Sequence, residues 1–580
     1  MSTTVIVERD IRVQMRDGVR LATDVYRPKR DGPWPVLLER TPYGKSFAWF
    51  TAGLIVNPLV AVERGYAVVV QDTRGRSGSQ GPFEPFLHEA DDGYDTVEWA
   101  ASQPWSDGAV GVFGSSYLGV TALQAALAAP PHLKAGVSYL TGANYHNGWT
   151  YSGGAFELSF NLWWTSFLAW DTFARARLRP KEREATLAAL AEVASDWETA
   201  ARHLPLAELP AFKKVAPYWR EWLEHPSYDA FWKRVDQTAK AGGLKVPLLQ
   251  VAGWFDNFAR GHFDLLAAMQ SIRGRAKGRS RLVIGPWDHE AYLSVRPTSS
   301  GSREFGPAAV GGVTLMSDLV LGWFDQWLKD EDSCAASDAA PVRYFVMGEN
   351  RWAGALTWPP KHKPTAWYLR SAGAANSRLG DGALSPGEPG PDPPDSFLYD
   401  PADPVPSIGG RTLAPIFGPG GIQDQSDVEL RDDVLVYTSP MLTAPVSIAG
   451  PVTAVLHVSS SAVDTDVTAK LVDVEPDGFC ANVAEGIIRA RYREGFNREV
   501  LLAQGEPTEL TVDLWHVAHT FLPGHAIRLE VSSSSFPRWD RNLNCATSPG
   551  LAGPEELQVA FQQVLHDPAH PSRLVLPVVS

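Results

Sequence analysis

Five short, largely apolar runs constrain the fold of this chain more than any other feature. A strand with both faces buried has such a sequence, and burial of both faces is typical of a parallel sheet covered by helices. Helical spacing at residues 89–102 and 118–129 alternates with the runs, as in a doubly wound α/β fold. The runs lie at residues 35–38, 66–70, 110–113, 246–251 and 281–284.

Three further patterns place elements around this predicted sheet. Residues 5–15 and 20–26 alternate on either side of an Asp-Gly turn, which predicts a hairpin. Residues 181–203 and 217–239 have amphipathic helical spacing within a block that lacks strand signals. A helical block inserted between strands of one sheet predicts a cap over the strand ends. Residues 316–328 predict a helix that closes the core.

Beyond residue 340 the sequence predicts a β domain. Short alternating segments separated by Gly, Pro and Ser are typical of a β-sandwich or jelly roll. A stretch rich in Pro and Gly, residues 373–421, is expected to wrap the surface of this domain. The alternating segments are residues 343–346, 366–369, 434–437, 453–458, 465–474, 509–514 and 527–531.

These patterns predict three domains, and an apolar content of 44% is ample for their cores. The first is an α/β core formed by residues 1–144 and 245–335. The second is a helical cap formed by residues 145–244, and the third is a C-terminal jelly roll formed by residues 336–580.

Charge and composition exclude several classes of protein. With 52 Lys+Arg against 66 Asp+Glu the net charge is −14, which disfavours nucleic acid because phosphate binding needs clustered cations. No apolar run reaches the about 18 residues of a membrane span, and charged residues at 8–10 interrupt any N-terminal signal peptide. We therefore expect a cytoplasmic protein without a membrane partner. The three cysteines are too few and too scattered for a zinc site.

One serine occupies the place of a catalytic nucleophile. The motif Gly114–Gly119 directly follows a predicted strand and precedes a helix, so Ser116 lies on the sharp turn that lifts a serine Oγ clear of a sheet. The usual Gly-x-Ser-x-Gly spacing is broken, because Leu118 stands where the second glycine belongs. On the motif alone, a nucleophile and an ordinary turn serine are about equally supported. Ser138 has a similar local sequence but no helix after it, so we expect it within a strand.

A general base and an orienting carboxylate are predicted on two later loops. The fourth and fifth apolar runs lead into loops that contain Asp256 and His289. In α/β-hydrolases the chain order is serine, acid, histidine, with the acid and the histidine on loops after late strands. Asp288 and Asp264 compete for the acid role. Asp288 would have to reach round the adjacent ring, and Asp264 is expected on a helix.

Two donors for an oxyanion hole complete the predicted site. The backbone N–H of Tyr117, directly after the nucleophile, is the first. The second is expected from the loop after the first apolar run, where Tyr43 has a phenolic hydroxyl. From the residues alone, a tyrosine that follows proline is more often a packing residue.

Nine long, specific motifs are spread over nearly the whole chain: Met15–Gly18, Arg40–Tyr43, Gln71–Gly75, Gly114–Tyr117, Gly253–Asp256, Gly285–His289, Tyr399–Pro404, Ser459–Asp466 and Phe536–Arg541. The set resembles the bacterial cocaine esterase family, whose wider group includes X-prolyl dipeptidyl peptidases, glutaryl acylases and α-amino-acid ester hydrolases. The resemblance implies an α/β-hydrolase core, a helical cap and a C-terminal jelly roll. It implies Ser116 as nucleophile, Asp256 as acid, His289 as base and Tyr43 as oxyanion donor, and in this group the shifted glycine is normal.

By similarity, aromatic side chains near the cap would hold an acyl group. The high aromatic content, with 21 Trp, 24 Phe and 16 Tyr, supports a pocket for something apolar. Packing within the cap is about as good an interpretation, because helix-spaced aromatic residues usually form core. No particular ester is implied. The candidates are Trp149, Trp163, Trp164 and Phe258.

The sequence predicts a serine carboxylic-ester hydrolase that acts through an acyl-enzyme on small-molecule esters with an apolar or aromatic acyl group. No metal or organic cofactor is expected. The alternative is an acylase or dipeptidyl-peptidase-type amide hydrolase with the same triad, whose free-amine substrate would need a carboxylate such as Glu157 or Asp171. A binding protein with an inert core is a third hypothesis, and a homodimer is left open as the assembly.

Overall fold

Residues 4–30, 32–47, 55–270, 279–290, 297–311, 313–331 and 340–579 are described by a computed structural model of the chain, apart from the side chains of residues 313–316. The first strands of these ranges are β1 (Val5–Gln14), β2 (Arg20–Pro28), β3 (Trp34–Thr41), β4 (Ala67–Asp72), β5 (Ser106–Ser115), β6 (Leu133–Tyr139), β7 (Tyr151–Ser152), β8 (Ala155–Phe156), β9 (Leu248–Phe255), β10 (Arg281–Asp288), β11 (Ser299–Ser300), β12 (Arg303–Glu304), β13 (Val342–Val346) and β14 (Arg351–Ala355). The α-helices are α1 (Pro58–Glu63), α2 (Glu89–Ala101), α3 (Tyr117–Ala128), α4 (Leu158–Arg175), α5 (Pro180–Ser195), α6 (Trp197–Ala201), α7 (Tyr218–Glu224), α8 (Ala230–Lys233), α9 (Ala259–Gln270) and α10 (Val313–Leu328).

A mixed sheet of ten strands forms the core, in the order β1-β2-β4-β3-β5-β6-β9-β10-β13-β14. The strands from β4 to β13 run parallel, and the pairs at both edges are antiparallel. Helices α1 and α10 pack on one face, and α2, α3 and α9 pack on the other. All five apolar runs are strands of this sheet, so the predicted α/β class is confirmed.

The cap segment leaves the sheet after β6 and returns at β9. Its helices differ from those predicted. The stretch 181–203 is divided into α5 and α6 at Asp196, and the stretch 217–239 holds only the short helices α7 and α8. Pro226 prevents α7 from continuing, while the Asp229 side chain caps α8 by accepting from Phe231 N at 2.8 Å. Helix α4 was not predicted, because it is buried on most sides and lacks a clear polar face.

The C-terminal region is a second, antiparallel-rich sheet of eleven strands. Residues 343–346, predicted for this region, instead form β13 and pair in parallel with β10 of the core sheet. A short alternating strand does not indicate which sheet it joins, which is why this prediction was wrong. The strands of the second sheet are β15 (Lys363–Arg370), β16 (Ala383–Ser385), β17 (Asp395–Tyr399), β18 (Leu435–Thr438), β19 (Val446–Ser460), β20 (Asp466–Val474), β21 (Cys480–Arg489), β22 (Thr508–Phe521), β23 (Ala526–Ser532), β24 (Ala560–Leu565) and β25 (Arg573–Val578).

Within the described ranges, no helix has both the length and the apolar character needed to cross a membrane. Cys480 and Cys545 are buried thiols, and Cys334 lies outside the described residues.

A buried arginine joins the core to the C-terminal sheet. Arg411 is 1% exposed, although it lies in the stretch predicted to wrap the surface. Its guanidinium donates to the carbonyl oxygens of Trp254 (2.8 Å), Leu514 (3.1 Å) and His516 (3.2 Å). Burial lowers the pKa of Arg411 to about 10. The side chain thus connects β9 to β22.

Replacing Arg411 by methionine should destabilise the protein strongly, because several buried carbonyls would lose their donors. We expect the free energy of unfolding to fall by about 3 kcal/mol or more, measured by chemical denaturation. Arg431, which forms part-exposed ion pairs with Asp403 and Asp433, is the matched control. Its change to methionine should cost less than about 1 kcal/mol, and equal losses for the two variants would contradict the role given to Arg411.

Candidate active site

Ser116 lies between β5 and α3 in a strained backbone conformation. Its φ of 55° and ψ of −126° are rare for a residue with a side chain, and such strain persists only where the surroundings hold it. Here Ser116 N donates to the carbonyl oxygens of Tyr139 (3.0 Å) and Leu140 (3.2 Å) at the end of β6. The turn therefore fixes the serine at the carboxyl edge of the sheet.

Two glycines make this turn possible by close packing. A Cβ on Gly114 would lie 2.2 Å from the carbonyl oxygen of Leu118. A Cβ on Gly119 would lie 2.7 Å from the Cβ of Thr141, in the loop after β6. The second glycine is therefore needed at 119 and not at 118, which explains the shifted spacing in physical terms.

Asp256 and His289 meet at the same edge of the sheet, directly after β9 and β10. His289 Nδ1 donates to Asp256 Oδ2 at 2.5 Å, and Asp256 Oδ1 accepts from the backbone N of Phe258 at 2.8 Å. Asp256 is fully buried and His289 is 3% exposed. Because a carboxylate can only accept, Nδ1 holds the proton and Nε2 is the acceptor of the neutral ring. This is the arrangement of a general base with its orienting acid.

Close packing of the last residues of β9 and β10 brings these side chains together. A Cβ on Gly253 would lie 2.2 Å from the carbonyl oxygen of Trp287, and a Cβ on Gly285 would lie 2.4 Å from the indole of Trp287. The indole Nε1 donates to the carbonyl oxygen of Ala309 at 2.8 Å. Trp287 is therefore packed so closely against positions 253 and 285 that only glycine fits at them.

The hydroxyl of Tyr43 lies at the same place. Trp164 Nε1 donates to Tyr43 Oη at 2.9 Å, and the Tyr43 hydroxyl lies near the Ser116 side chain. Desolvation raises the pKa of Tyr43 to about 12, against the opposing effect of Trp164 and Ser116. The phenol is therefore a neutral donor at neutral pH. Tyr117 is the first residue of α3, where a backbone N–H has no acceptor within its helix.

Three of the four aromatic candidates, Phe258, Trp149 and Trp164, contact one another in a row, which we call the aromatic wall. Phe258 lies edge-on to the imidazole of the site, with ring centroids 5.1 Å apart. Trp149 stacks on Phe258 at 3.9 Å, and Trp164 lies edge-on to Trp149 at 6.0 Å. Trp163 instead stacks on Phe167 at 6.2 Å. Successive residues of α4 point in different directions, so Trp163 and Trp164 do not share one face.

Sequence reasoning missed a second group of side chains behind the serine. Thr141 Oγ1 donates to the carbonyl oxygen of Ser116 at 2.7 Å, and Thr141 N donates to His262 Nε2 at 3.1 Å. Burial lowers the pKa of His262 to about 4, so the ring is neutral and supports the turn. No local pattern marks these residues, because their contacts join elements far apart in the chain.

The competing candidates have other partners. Asp264, on α9, pairs with Arg260 at 3.4 Å. Asp288 accepts from Ser300 Oγ at 3.1 Å, and burial raises the pKa of Asp288 to about 6. Ser138 lies within β6. Three histidines of the C-terminal region are in structural contacts, since His516 stacks on Phe263, and His519 and His525 both bind Asp473.

One edge of this doubly wound sheet carries a serine at a strand-to-helix turn and a histidine bound to a buried carboxylate. This combination is typical of serine hydrolases with the α/β-hydrolase fold. The chain is such a serine hydrolase, as comparison with known proteins shows. It belongs to the X-Pro dipeptidyl-peptidase (S15) family, whose profile matches residues 17–291. The profile of the X-Pro dipeptidyl-peptidase C-terminal non-catalytic domain matches residues 335–575.

Three similar proteins cover almost the whole chain. Cocaine esterase of Rhodococcus sp. (strain MB1 Bresler) is 42% identical over 99% of this chain and 98% of its own length, which confirms the predicted family resemblance. The solved structure of an aminopeptidase from the marine sediment archaeon Thaumarchaeota archaeon is 26% identical, with a TM-score of 0.82 over 100% of this chain and 97% of that one. An α-amino acid ester hydrolase structure is 28% identical, with a TM-score of 0.80 and the same coverage.

Changing Gly114 to alanine should disrupt the serine turn, since the added methyl group collides with the backbone of α3. We expect a destabilisation of about 1–3 kcal/mol and at least about tenfold slower labelling of the protein by a fluorophosphonate probe. Gly242, where an added Cβ meets nothing within 4 Å, is the control, and Gly242→Ala should label at the parent rate. Parent-like labelling of the Gly114 variant would contradict the packing argument.

Proposed function

We propose that the protein hydrolyses carboxylic esters with an apolar or aromatic acyl group, with Ser116, His289 and Asp256 as its catalytic triad. The observation that carries the proposal is the 2.5 Å bond between His289 Nδ1 and Asp256 Oδ2, buried at the sheet edge that holds Ser116. A histidine held in this tautomer is prepared to take a serine proton.

In the first half-reaction His289 Nε2 takes the hydroxyl proton while Ser116 Oγ attacks the ester carbonyl. Negative charge then develops on the carbonyl oxygen, and the Tyr43 hydroxyl and the Tyr117 N–H donate to it. One such donor typically lowers the barrier by about 3 kcal/mol. The raised pKa of Tyr43 keeps this donor protonated through the range in which an ester hydrolase works.

Collapse of the tetrahedral intermediate expels the alcohol, which takes the proton from His289, and leaves an acyl group on Ser116. Water then attacks the acyl-enzyme with His289 again as base, and the acid leaves as Ser116 regains its proton. The Asp256 carboxylate orients the ring and stabilises the imidazolium that forms twice in each cycle.

The aromatic wall supports an apolar or aromatic acyl group as substrate. Trp149, Trp164 and Phe258 connect His289 to Tyr43, so an acyl group on Ser116 would lie against their rings. The 42% identical relative, cocaine esterase, is by its name an ester hydrolase. Both observations favour esters over other acyl compounds.

The alternative amide hydrolase is less well supported. Recognition of a free amine needs an available carboxylate, and both candidates are engaged. Glu157 Oε1 accepts from Trp539 Nε1 at 2.9 Å and from Ser152 Oγ at 2.5 Å. Asp171 accepts from the backbone N of Ser77 at 3.2 Å and pairs with the cations of neighbouring arginines.

The proposed location, partners and domain division of the enzyme rest on the sequence. We propose a cytoplasmic enzyme that acts on a small molecule and has no nucleic-acid partner, which the net charge of −14 supports. The proposed domain division differs from the predicted one at a single boundary, because residues 342–355 belong to the core sheet. The cap is proposed at residues 145–244, and the C-terminal residues after 355 are proposed to form a jelly roll. A homodimer is compatible with this scheme, which needs no second copy at the site.

Changing Ser116 to alanine should abolish hydrolysis of a p-nitrophenyl ester, since no nucleophile would remain. Asp256→Asn should lower kcat by about 10⁴-fold, because the histidine would lose its orienting acceptor. Steady-state assays test both, and Asp264→Asn is the matched control that should keep the parent rate. Near-parent activity of Ser116→Ala would reject the proposal, and a parent enzyme that prefers an aminoacyl-prolyl anilide to an aryl ester would favour the alternative.

Changing Trp149 to phenylalanine should reduce selectivity for an aromatic acyl group, because part of the ring wall is lost. We expect the ratio of kcat/KM for p-nitrophenyl benzoate to that for p-nitrophenyl acetate to fall about five- to tenfold. This factor corresponds to the free energy of about one aromatic contact. Trp163→Phe should leave the ratio unchanged, because Trp163 points about 100° away from Trp164 around α4 and stacks on Phe167. An unchanged ratio in the Trp149 variant would show that this ring only packs the cap.

A further inference from the structure

The segment that contains the motif Gln71–Gly75 surrounds the loop of Tyr43, although the mechanism above assigns it no role. Thr73 N donates to the carbonyl oxygen of Thr41 at 2.9 Å. Asp72 Oδ1 accepts from the backbone N of Lys45 at 2.5 Å. The backbone is therefore held on both sides of Tyr43 by one neighbouring segment.

Arg76, the next side chain of that segment, reaches from the Tyr43 loop into the cap. Its Nε donates to the carbonyl oxygen of Pro42 at 2.8 Å, the residue directly before Tyr43. Its Nη1 donates to the carbonyl oxygen of Leu168 and to Thr172 Oγ1, both at 3.0 Å. Arg76 is 2% exposed, so these contacts are shielded from water.

Helix α4, to which Arg76 donates, also binds the hydroxyl of Tyr43. Trp164, on the same helix α4, donates from Nε1 to Tyr43 Oη at 2.9 Å. One contact fixes the backbone of Tyr43 to α4, and the other fixes the tip of its ring to α4. A shift of the helix relative to the core would move both ends of the side chain together.

The surroundings of Arg76 hold its guanidinium in one geometry. Burial lowers the pKa of its guanidinium, and the facing charges are the Asp171 carboxylate at 3.5 Å, which is 30% exposed, and the cation of Arg175. Tyr43 and Tyr218 also face the group, as neutral phenols. Loss of this cation would leave its carbonyl and hydroxyl acceptors without a donor, so Arg76, like Arg411, also contributes to stability.

We propose that Arg76 is a positioning residue of the oxyanion hole: by joining Pro42 to Leu168 and Thr172 it holds the Tyr43 hydroxyl against Ser116 and makes the cap helix part of the hole. The inference rests on the proposed function of Tyr43. Arg76 acts through Tyr43 and touches no reacting atom. Its loss should therefore weaken an interaction made in the transition state, which lowers kcat and leaves KM nearly unchanged.

The test is a double-mutant cycle of Arg76→Met and Tyr43→Phe with a p-nitrophenyl ester. Tyr43→Phe should lower kcat by about 10²–10³-fold, and Arg76→Met by about 10- to 100-fold with KM within about twofold of the parent. Because both changes remove the same donor, the double variant should be no slower than about twofold below Tyr43→Phe alone. Losses that multiply, or a parent-like kcat of Arg76→Met, would overturn the inference.

Arg175→Met is the matched control. This arginine also lies on α4 and binds the same segment, through the carbonyl oxygens of Gly75 and Ser79, but not through the Tyr43 loop. It should keep kcat within about twofold of the parent, and it should lower the melting temperature less than Arg76→Met does, because Arg175 is exposed. A kcat loss equal to that of Arg76→Met would show a general effect of cap attachment and overturn the inference.

Two further readouts separate this inference from the proposed function. Should Arg76→Met not fold, Arg76→Lys replaces it in the cycle, since lysine keeps the charge but cannot bridge three acceptors, and the same non-additivity is required of it. A parent-like kcat of Tyr43→Phe would reject the oxyanion role of Tyr43 and the inference with it. A slow Tyr43→Phe combined with multiplying losses in the cycle would reject the inference alone.

Discussion

The buried hydrogen bond between Asp256 and His289 is the contact on which the rest of the site depends. A carboxylate without exposure to water is tolerable only if both oxygens are satisfied, and here one binds the imidazole and the other a backbone N–H. The parallel register makes the contact possible. Phe255 of β9 lies opposite Asp288 of β10, so the next residue of each strand emerges at the same edge.

The site also depends on parts of the chain outside the core sheet. Tyr43 belongs to a core loop, but its hydroxyl is bound by Trp164 and its backbone, through Arg76, by the same cap helix. Behind the acid, Arg411 binds the carbonyl oxygen of Trp254 from the C-terminal region. Helix α4 and the C-terminal region therefore both contribute contacts that fix the geometry of the site.

The core and the candidate site were largely predictable because their signals are local. Continuous apolar runs mark parallel strands, and the residues after them lie at one edge whatever the tertiary detail. Arg76, Thr141 and His262 carry no such signal, because their partners are distant in sequence and only the folded chain brings them together. Helix α4 was missed because burial on most sides leaves no diagnostic period. Strand β13 was predicted as a strand but assigned to the wrong sheet, because five alternating residues do not indicate the partner strand.

The most direct test of the account is to trap the covalent intermediate. Acid quenching of the protein within its first turnovers of p-nitrophenyl benzoate, followed by peptide mass spectrometry, locates the acyl group. The account predicts one benzoyl adduct, on Ser116, that forms in a burst and disappears as substrate is consumed. A benzoyl group on another residue, or sustained turnover with no adduct at any quench time, would contradict it.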